Sequence, residues 1–400
     1  MPASHPHSRS PRLAGPLAAL FACAAIGLAA VMPAGAAGRR PVATTRSAPP
    51  LSSAQTHYLA LAEAGVQAAE TDWANHAHHW YNATLDDPAQ YPLATIWDAV
   101  PLFEAIDAIA IAQPSPAHLE AVTTFANGAE AYLNHGLKPV PGYSPYPGDR
   151  SANTETWFDD NGWWGLAFVN AFRATGKSRY LLDAERALGY IAAAGWDPSG
   201  GGIWWNTDHP YKAGEALASG TLLATLLYEQ THSATYLADA NMFLAWGNAQ
   251  GFSAVDGLYA ESDRVGTPED YVEAPLIYAQ QVLCTTAGAT SDCAHASTLT
   301  NTALRRFGTT LDFGPQYDAI YLQWLLALYG SDGDTRLYDL AASNANTAAA
   351  EARNSDGLYL RSWQGQSLGS RVIEPNMLQT QSATTSLFAW LAVYPPPPGE

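Results

Sequence analysis

The chain has 400 residues, 48% of them hydrophobic, with 13 Trp and 20 Tyr, which is enough for a large buried core. Its formal net charge of −18 makes nucleic acid and anionic membrane surfaces poor partners. A neutral ligand such as a sugar suits an acidic, Trp-rich protein better.

Arg9 and Arg12 precede an apolar run from Leu13 to Val31, and Pro33-Ala34-Gly35-Ala36 follows as a small-residue exit. This is the layout of an export signal over residues 1–36, with an uncleaved anchor as the alternative because the run is long. Residues 37–54 are expected as disordered linker, 55–394 as the folded domain and 395–400 as a disordered tail. Cleavage would leave a secreted or periplasmic protein without membrane contact, and a monomer is expected. Cys23 falls in the signal, so Cys284 and Cys293 remain as an even pair in an exported chain. A disulfide between them is expected rather than two thiols. Two Cys cannot complete a zinc ligand set, and no metal is expected.

From residue 55 onward the chain carries little period-2 alternation and reads as helix after helix, of two kinds. Amphipathic segments fall near 55–80, 115–135, 178–194, 234–249, 291–307 and 335–353. In "SRYLLDAERALGYIAAAG" Leu181, Ala184, Leu188 and Ile191 share a face while Asp183, Glu185 and Arg186 point away. Segments apolar nearly all round fall near 92–112, 160–176, 213–230, 271–287, 316–329 and 376–394, and such helices must be buried. Strict alternation of the two kinds predicts six inner helices ringed by six outer ones, an all-α (α/α)6 barrel. Weak repeats agree: "SRYLLDA" and "ATYLADA" open successive outer helices, and "DGLY" occurs twice. Connections from inner to outer helix are short, such as "ATGK" and "QTHS". Those from outer to inner are long, at 136–159, 195–212, 250–270 and 354–375. Long connections in a compact domain are usually functional, so the site is expected at the end where inner helices begin.

"TWFDDNGWW" marks one such beginning, with Asp159 and Asp160 adjacent among aromatic rings. An N-cap explains one Asp; the second needs the helix dipole or chemistry. Retaining glycosidases hold two carboxyls about 5–5.5 Å apart and inverting ones about 6.5–9.5 Å apart. Neighbouring side chains reach the narrower spacing more readily. Like charges held close, in surroundings of Trp, push one pKa upward and keep one acid protonated. Asn161 and Trp163 follow directly as substrate-contact candidates. The loop "GWDPSGGGIWWNTDHPYK" brings a Gly run for close backbone approach, with Trp204, Trp205 and Tyr211 as faces for sugar rings. Lys212 and Glu215 stand where the third inner helix opens; either bonds a hydroxyl or they pair with each other. Trp97 and Asp98 begin the first inner helix, and Glu273 and Asp318 sit near the starts of two later ones. Each of these acids has a structural-pairing reading beside the substrate-binding one. The His run "HAHHW" (76–80) lacks a metal-ligand spacing and reads as a solvated outer-helix face, and "GSDGDTR" reads as a turn. No nucleotide-binding or serine-hydrolase motif is present.

Beyond these readings, "TWFDDNGWWGLAFVNAFRATGKSRYLLDAERAL", then "GGGIWW" and "YKAGEALASGTLLATLLYEQT", resembles glycoside hydrolase family 76, the α-1,6-mannanases. The resemblance is most specific over 157–228 and extends loosely to "QYDAIYLQWLLALY" and "QTQSATTSLFAWLA". It implies an (α/α)6 barrel and a retaining, endo-acting hydrolase of α-mannan without cofactor, with Asp159 as nucleophile and Asp160 as acid/base. Two departures stand near the implied cleft. The family's Y-N-Q-G is Val272-Glu273-Ala274-Pro275 here, and the Asn that commonly follows the Lys is Ala213.

Overall fold

The computed structural model describes residues 50–85, 93–250, 256–365 and 376–399. The expected export signal, most of the expected linker, and parts of the connections at 250–270 and 354–375 lie outside the described residues. Twelve α-helices run through them: α1 Ser53–Asp72, α2 Ile96–Ala112, α3 Pro116–Ala129, α4 Phe158–Thr175, α5 Arg179–Tyr190, α6 Gly214–Thr231, α7 Ala234–Gln250, α8 Asp270–Ala287, α9 Thr290–Phe307, α10 Pro315–Asp332, α11 Thr335–Glu351 and α12 Leu378–Val393. The even-numbered helices pack each on the next, and α12 returns to α2 to close a ring. The odd-numbered helices lie outside it; α3 packs on α2 and α4, α5 on α4 and α6, and α11 on α10 and α12. This is the (α/α)6 barrel.

The two sequence classes explain the two rings. Every residue of α6 from Gly214 to Leu227 is buried, as an all-round apolar helix requires. In α9 the buried residues are Ala296, Leu299, Thr300 and Ala303, a single i, i+3, i+4, i+7 stripe. Inner helices end in left-handed Gly caps at Gly176, Gly288 and Gly333, which make the short inner-to-outer turns. Cys284 near the end of α8 is bonded to Cys293 in the first turn of α9, with Cα atoms 5.4 Å apart, so the expected disulfide staples an inner helix to the next outer one.

Several local expectations change. The first outer helix stops at Asp72, short of residue 80, because Trp73 is buried and its indole N–H donates to the Asn376 carbonyl at 2.8 Å. The His run therefore lies not on a helix face but in a small hairpin, where β1 (Ala74–Asn75) pairs with β2 (Trp80–Tyr81) and His79 takes a left-handed φ of 51°. Asp183 does not point away from the core: it is buried and bonded to Arg186, while Leu182 is exposed. Helix α1 starts earlier than the expected linker allows, at Ser53, through a reciprocal capping box between Ser52 and Gln55. At the other end Pro395 accepts a 3.0 Å hydrogen bond from the Tyr329 hydroxyl.

Candidate active site

A cleft of about 280 Å³ opens at the end where the inner helices begin. Thr95 and Trp97 come from the start of α2, Trp157, Asp159 and Asp160 from the start of α4, and Glu215 from α6. Tyr271 comes from α8 and Tyr317 from α10, with Pro145, Tyr146 and Trp205 supplied by the long connections. One positional rule relates the inner-helix contributions. Trp97, Asp159, Glu215 and Tyr271 are each the second residue of an inner helix, and Tyr317 is the third of its own. Gln379, second in α12, bonds the Trp97 carbonyl at 2.7 Å and completes the circle.

Neither aspartate is an N-cap. Trp157 holds that position of α4 and makes no side-chain cap bond, so Asp159 and Asp160 occupy the first turn proper. There the helix dipole favours negative charge. Both carboxyls are nevertheless pushed well up from the ordinary range. For Asp160 the cause is burial first, then the charges of Asp159 and Asp98. For Asp159 it is burial, opposed by the backbone N–H groups of Asp159 and Asp160. Asp159 is thus the easier of the two to ionise and Asp160 the easier to keep protonated. Asp159 Oδ1 is buried with no hydrogen-bond partner within the protein.

The pair is placed by its neighbours. Asn161 is fully buried; its side-chain oxygen accepts from Tyr143 N at 2.9 Å, and its amide donates to Tyr143 O at 3.0 Å and Trp157 O at 2.9 Å. Tyr143 belongs to β4 (Gly142–Tyr143), which pairs with β3 (Leu133–Asn134). The start of α4 is therefore clamped to this hairpin. Gly162 lets α4 approach α6, since a Cβ there would come within 2.1 Å of Ser219 Oγ.

The remaining sequence candidates divide. Trp97 and Trp205 line the cleft; Trp205 stacks on Tyr211 with centroids 5.3 Å apart and planes 13° off parallel, so Tyr211 backs it from behind. Asn161 stands behind the cleft as the clamp just described. Trp163 is buried with its ring centroid 6.5 Å from that of Tyr271. Asp98 closes a capping box on α2, accepting from Thr95 N at 2.9 Å and Thr95 Oγ1 at 2.7 Å. Trp204 is stacked on His209 and covered by Lys212 Nζ at 4.4 Å. Lys212 pairs with Asp197 at 2.6 Å, not with Glu215. Glu273 is wholly buried in α8 and Asp318 is buried at the start of α10, accepting from Gly314 N at 3.1 Å; neither lines the cleft. The Gly run serves packing: a Cβ at Gly201 or Gly202 would strike Trp246 at 2.4 Å or 2.6 Å.

Tyr271, Tyr317 and Trp157 join the cleft without being among the sequence candidates, and of the two readings of Glu215 the pairing with Lys212 is not found. The signal that finds them is the register of each inner helix, counted from its first residue, rather than any motif.

The open end of this (α/α)6 barrel thus carries two adjacent carboxyls, Asp160 buried and Asp159 half-buried, walled by aromatic rings. The model of glycosyl hydrolase family 76 matches residues 67–271, and the chain belongs to that family. Among solved structures, a family 76 α-mannanase of Bacteroides thetaiotaomicron superposes with a TM-score of 0.74 at 18% identity, over 84% of this chain and 95% of that one. An α-1,6-mannanase of Salegentibacter sp., an inactive variant with two consecutive aspartates replaced by asparagine and bound to α-1,6-mannotriose, gives 0.68 at 17% identity, over 84% and 99%. A cellobiose 2-epimerase of Spirochaeta thermophila gives 0.60 at 13% identity, over 85% and 96%. At these identities the likeness is one of fold. No curated protein sequence matches the chain.

Proposed function

We propose that the protein is an exported endo-α-1,6-mannanase that cleaves with retention of anomeric configuration. The observation that carries this is the Asp159–Asp160 pair, adjacent in the cleft at the mouth of the barrel, Asp160 buried and Asp159 half-buried, with Asp160 the harder to ionise. In the first step the Asp159 carboxylate attacks the anomeric carbon while Asp160 gives its proton to the departing glycosidic oxygen. The product is a glycosyl ester on Asp159. In the second step Asp160, now a carboxylate, takes a proton from water as the water oxygen attacks the same carbon and Asp159 leaves. Adjacent side chains suit the narrow separation that such an ester requires.

The aromatic walls support a sugar ligand, because their faces cover the apolar C–H faces of pyranose rings. The likeness to mannanases, one of them bound to α-1,6-mannotriose, supports the choice of sugar and linkage. No His lies among the described lining residues, which favours hydrolysis over epimerisation, a reaction that needs imidazole bases in the cleft. Export is supported by the N-terminal apolar run and the disulfide, and among the described residues no helix is long and apolar enough to cross a membrane. The test is turnover of linear α-1,6-mannan by Asp159→Asn and Asp160→Asn proteins. Each should lose at least about a hundredfold. Normal turnover by both would sink the assignment.

A further inference from the structure

Glu215 faces the same cleft as the paired aspartates, and the two-carboxyl mechanism leaves it without a task. It is 8% exposed, and its Oε2 is buried with no hydrogen-bond partner within the protein. Asp159 Oδ1 is in the same condition. Buried polar atoms of native proteins are rarely left unpaired, so two of them lining one cleft call for a common ligand. The obvious structural partner is taken, since Lys212 is held by Asp197.

We propose that Glu215 binds substrate as a hydrogen-bond donor, its carboxylic O–H held against a hydroxyl of the sugar unit that Asp159 and Asp160 attack. This rests on the mannanase reading of the site and adds to it a third carboxyl in a different role.

The groups around Glu215 favour the protonated form. Burial is the first cause of its raised pKa, followed by the charges of Asp159 on α4 and of Glu269 and Glu261 in the segment before α8. Tyr271 and Tyr317 line the same cleft, and they and Tyr211, stacked on Trp205, each feel its charge. A second anion beside the Asp159 carboxylate would be repelled, whereas a neutral acid can offer its proton to a hydroxyl while Asp159 stays ionised. A site built to donate to one hydroxyl also rejects sugars that lack it, because the buried donor would be left unpaired.

The test combines kinetics on α-1,6-mannotriose with infrared spectroscopy of Glu215→Ala and Glu215→Gln. Removing the donor should raise KM about tenfold while kcat falls by less. E215Q, whose amide still donates, should recover most of that loss, and melting curves establish that both variants are folded. The native-minus-E215Q infrared difference at neutral pH should show the C=O stretch of a protonated carboxyl. E215Q as impaired as E215A, an unchanged KM in E215A, or a missing protonated-carboxyl band would each overturn the proposal. A native enzyme that leaves α-1,6-mannotriose and longer α-1,6-mannan intact would instead defeat the substrate reading, with the infrared band still deciding how Glu215 is protonated.

Discussion

Replacing Asn161 by Ala separates two roles that its position beside the aspartates suggests equally. As a clamp, Asn161 makes three hydrogen bonds to the backbone of Tyr143 and Trp157 from a fully buried site. Each such bond is worth about 1 kcal/mol net, and a buried N–H left without a partner costs about 1–3 kcal/mol. Losing the Tyr143 N–H partner together with the two donated bonds comes to about 3–5 kcal/mol. The folded unit spans Pro50–Glu400. At roughly 2 cal/mol/K of unfolding entropy per residue, about 350 residues convert that cost into a fall in Tm of about 4–7 °C. The start of α4 is also freed from the β3–β4 hairpin, so kcat should fall, since carboxyls about 1 Å out of place cost up to about a hundredfold. Calorimetric melting with steady-state kinetics on α-1,6-mannan measures both. A Tm within about 1 °C of native, together with a raised KM, would refute the clamp and restore Asn161 as a substrate contact.

Three other perturbations follow from the same structure. Breaking the Cys284–Cys293 bridge with paired Ala substitutions opens a loop of sequence separation 9 and should lower unfolding stability by about 2–3 kcal/mol, read as a lower urea midpoint. Glu104, whose Oε2 accepts from Asn170 and Gln323 inside the barrel, has its pKa raised from 4.5 to about 7 by burial, so its contribution is full below about pH 4.5 and is lost as pH rises through about 7. Glu104→Gln should remove roughly 2–4 kcal/mol of that pH dependence between pH 5 and 8, and an unaltered stability–pH curve would count against it. Trp205→Ala should raise KM for α-1,6-mannotriose about tenfold through loss of a stacking face, whereas Trp204→Ala, which strips a ring stacked on His209, should act mainly on Tm.

Much of the fold was legible because burial of a helix is written in how far round it the apolar residues run. The segments 213–230 and 271–287, apolar on all sides, proved to be α6 and α8 within about a residue at each end. Boundaries failed where tertiary contacts end a helix that local pattern would continue. Trp73 halts α1 by reaching Asn376, more than three hundred positions away in the chain, and no local signal announces that. The aspartate pair was legible because two adjacent acids in an aromatic setting are costly without a purpose. For Asn161, Lys212 and Asp98 spacing says which end of the barrel a residue occupies but not which way its side chain turns. Hydrogen bonds to Tyr143, Asp197 and Thr95 turn these three to structural work. The sequence places Glu215 at the opening of the third inner helix, and the ring shows it as the α6 counterpart of Asp159 on α4.

The central claim is double displacement at Asp159 and Asp160, and the anomer first released from linear α-1,6-mannan, followed by proton NMR from the earliest seconds, tests it most directly. Retention predicts that the α-anomer of the new reducing end appears first and equilibrates to the β-anomer only by slow mutarotation. A β-anomer formed first would contradict the account, because it would require water to attack directly across a gap that two adjacent aspartates were inferred not to leave.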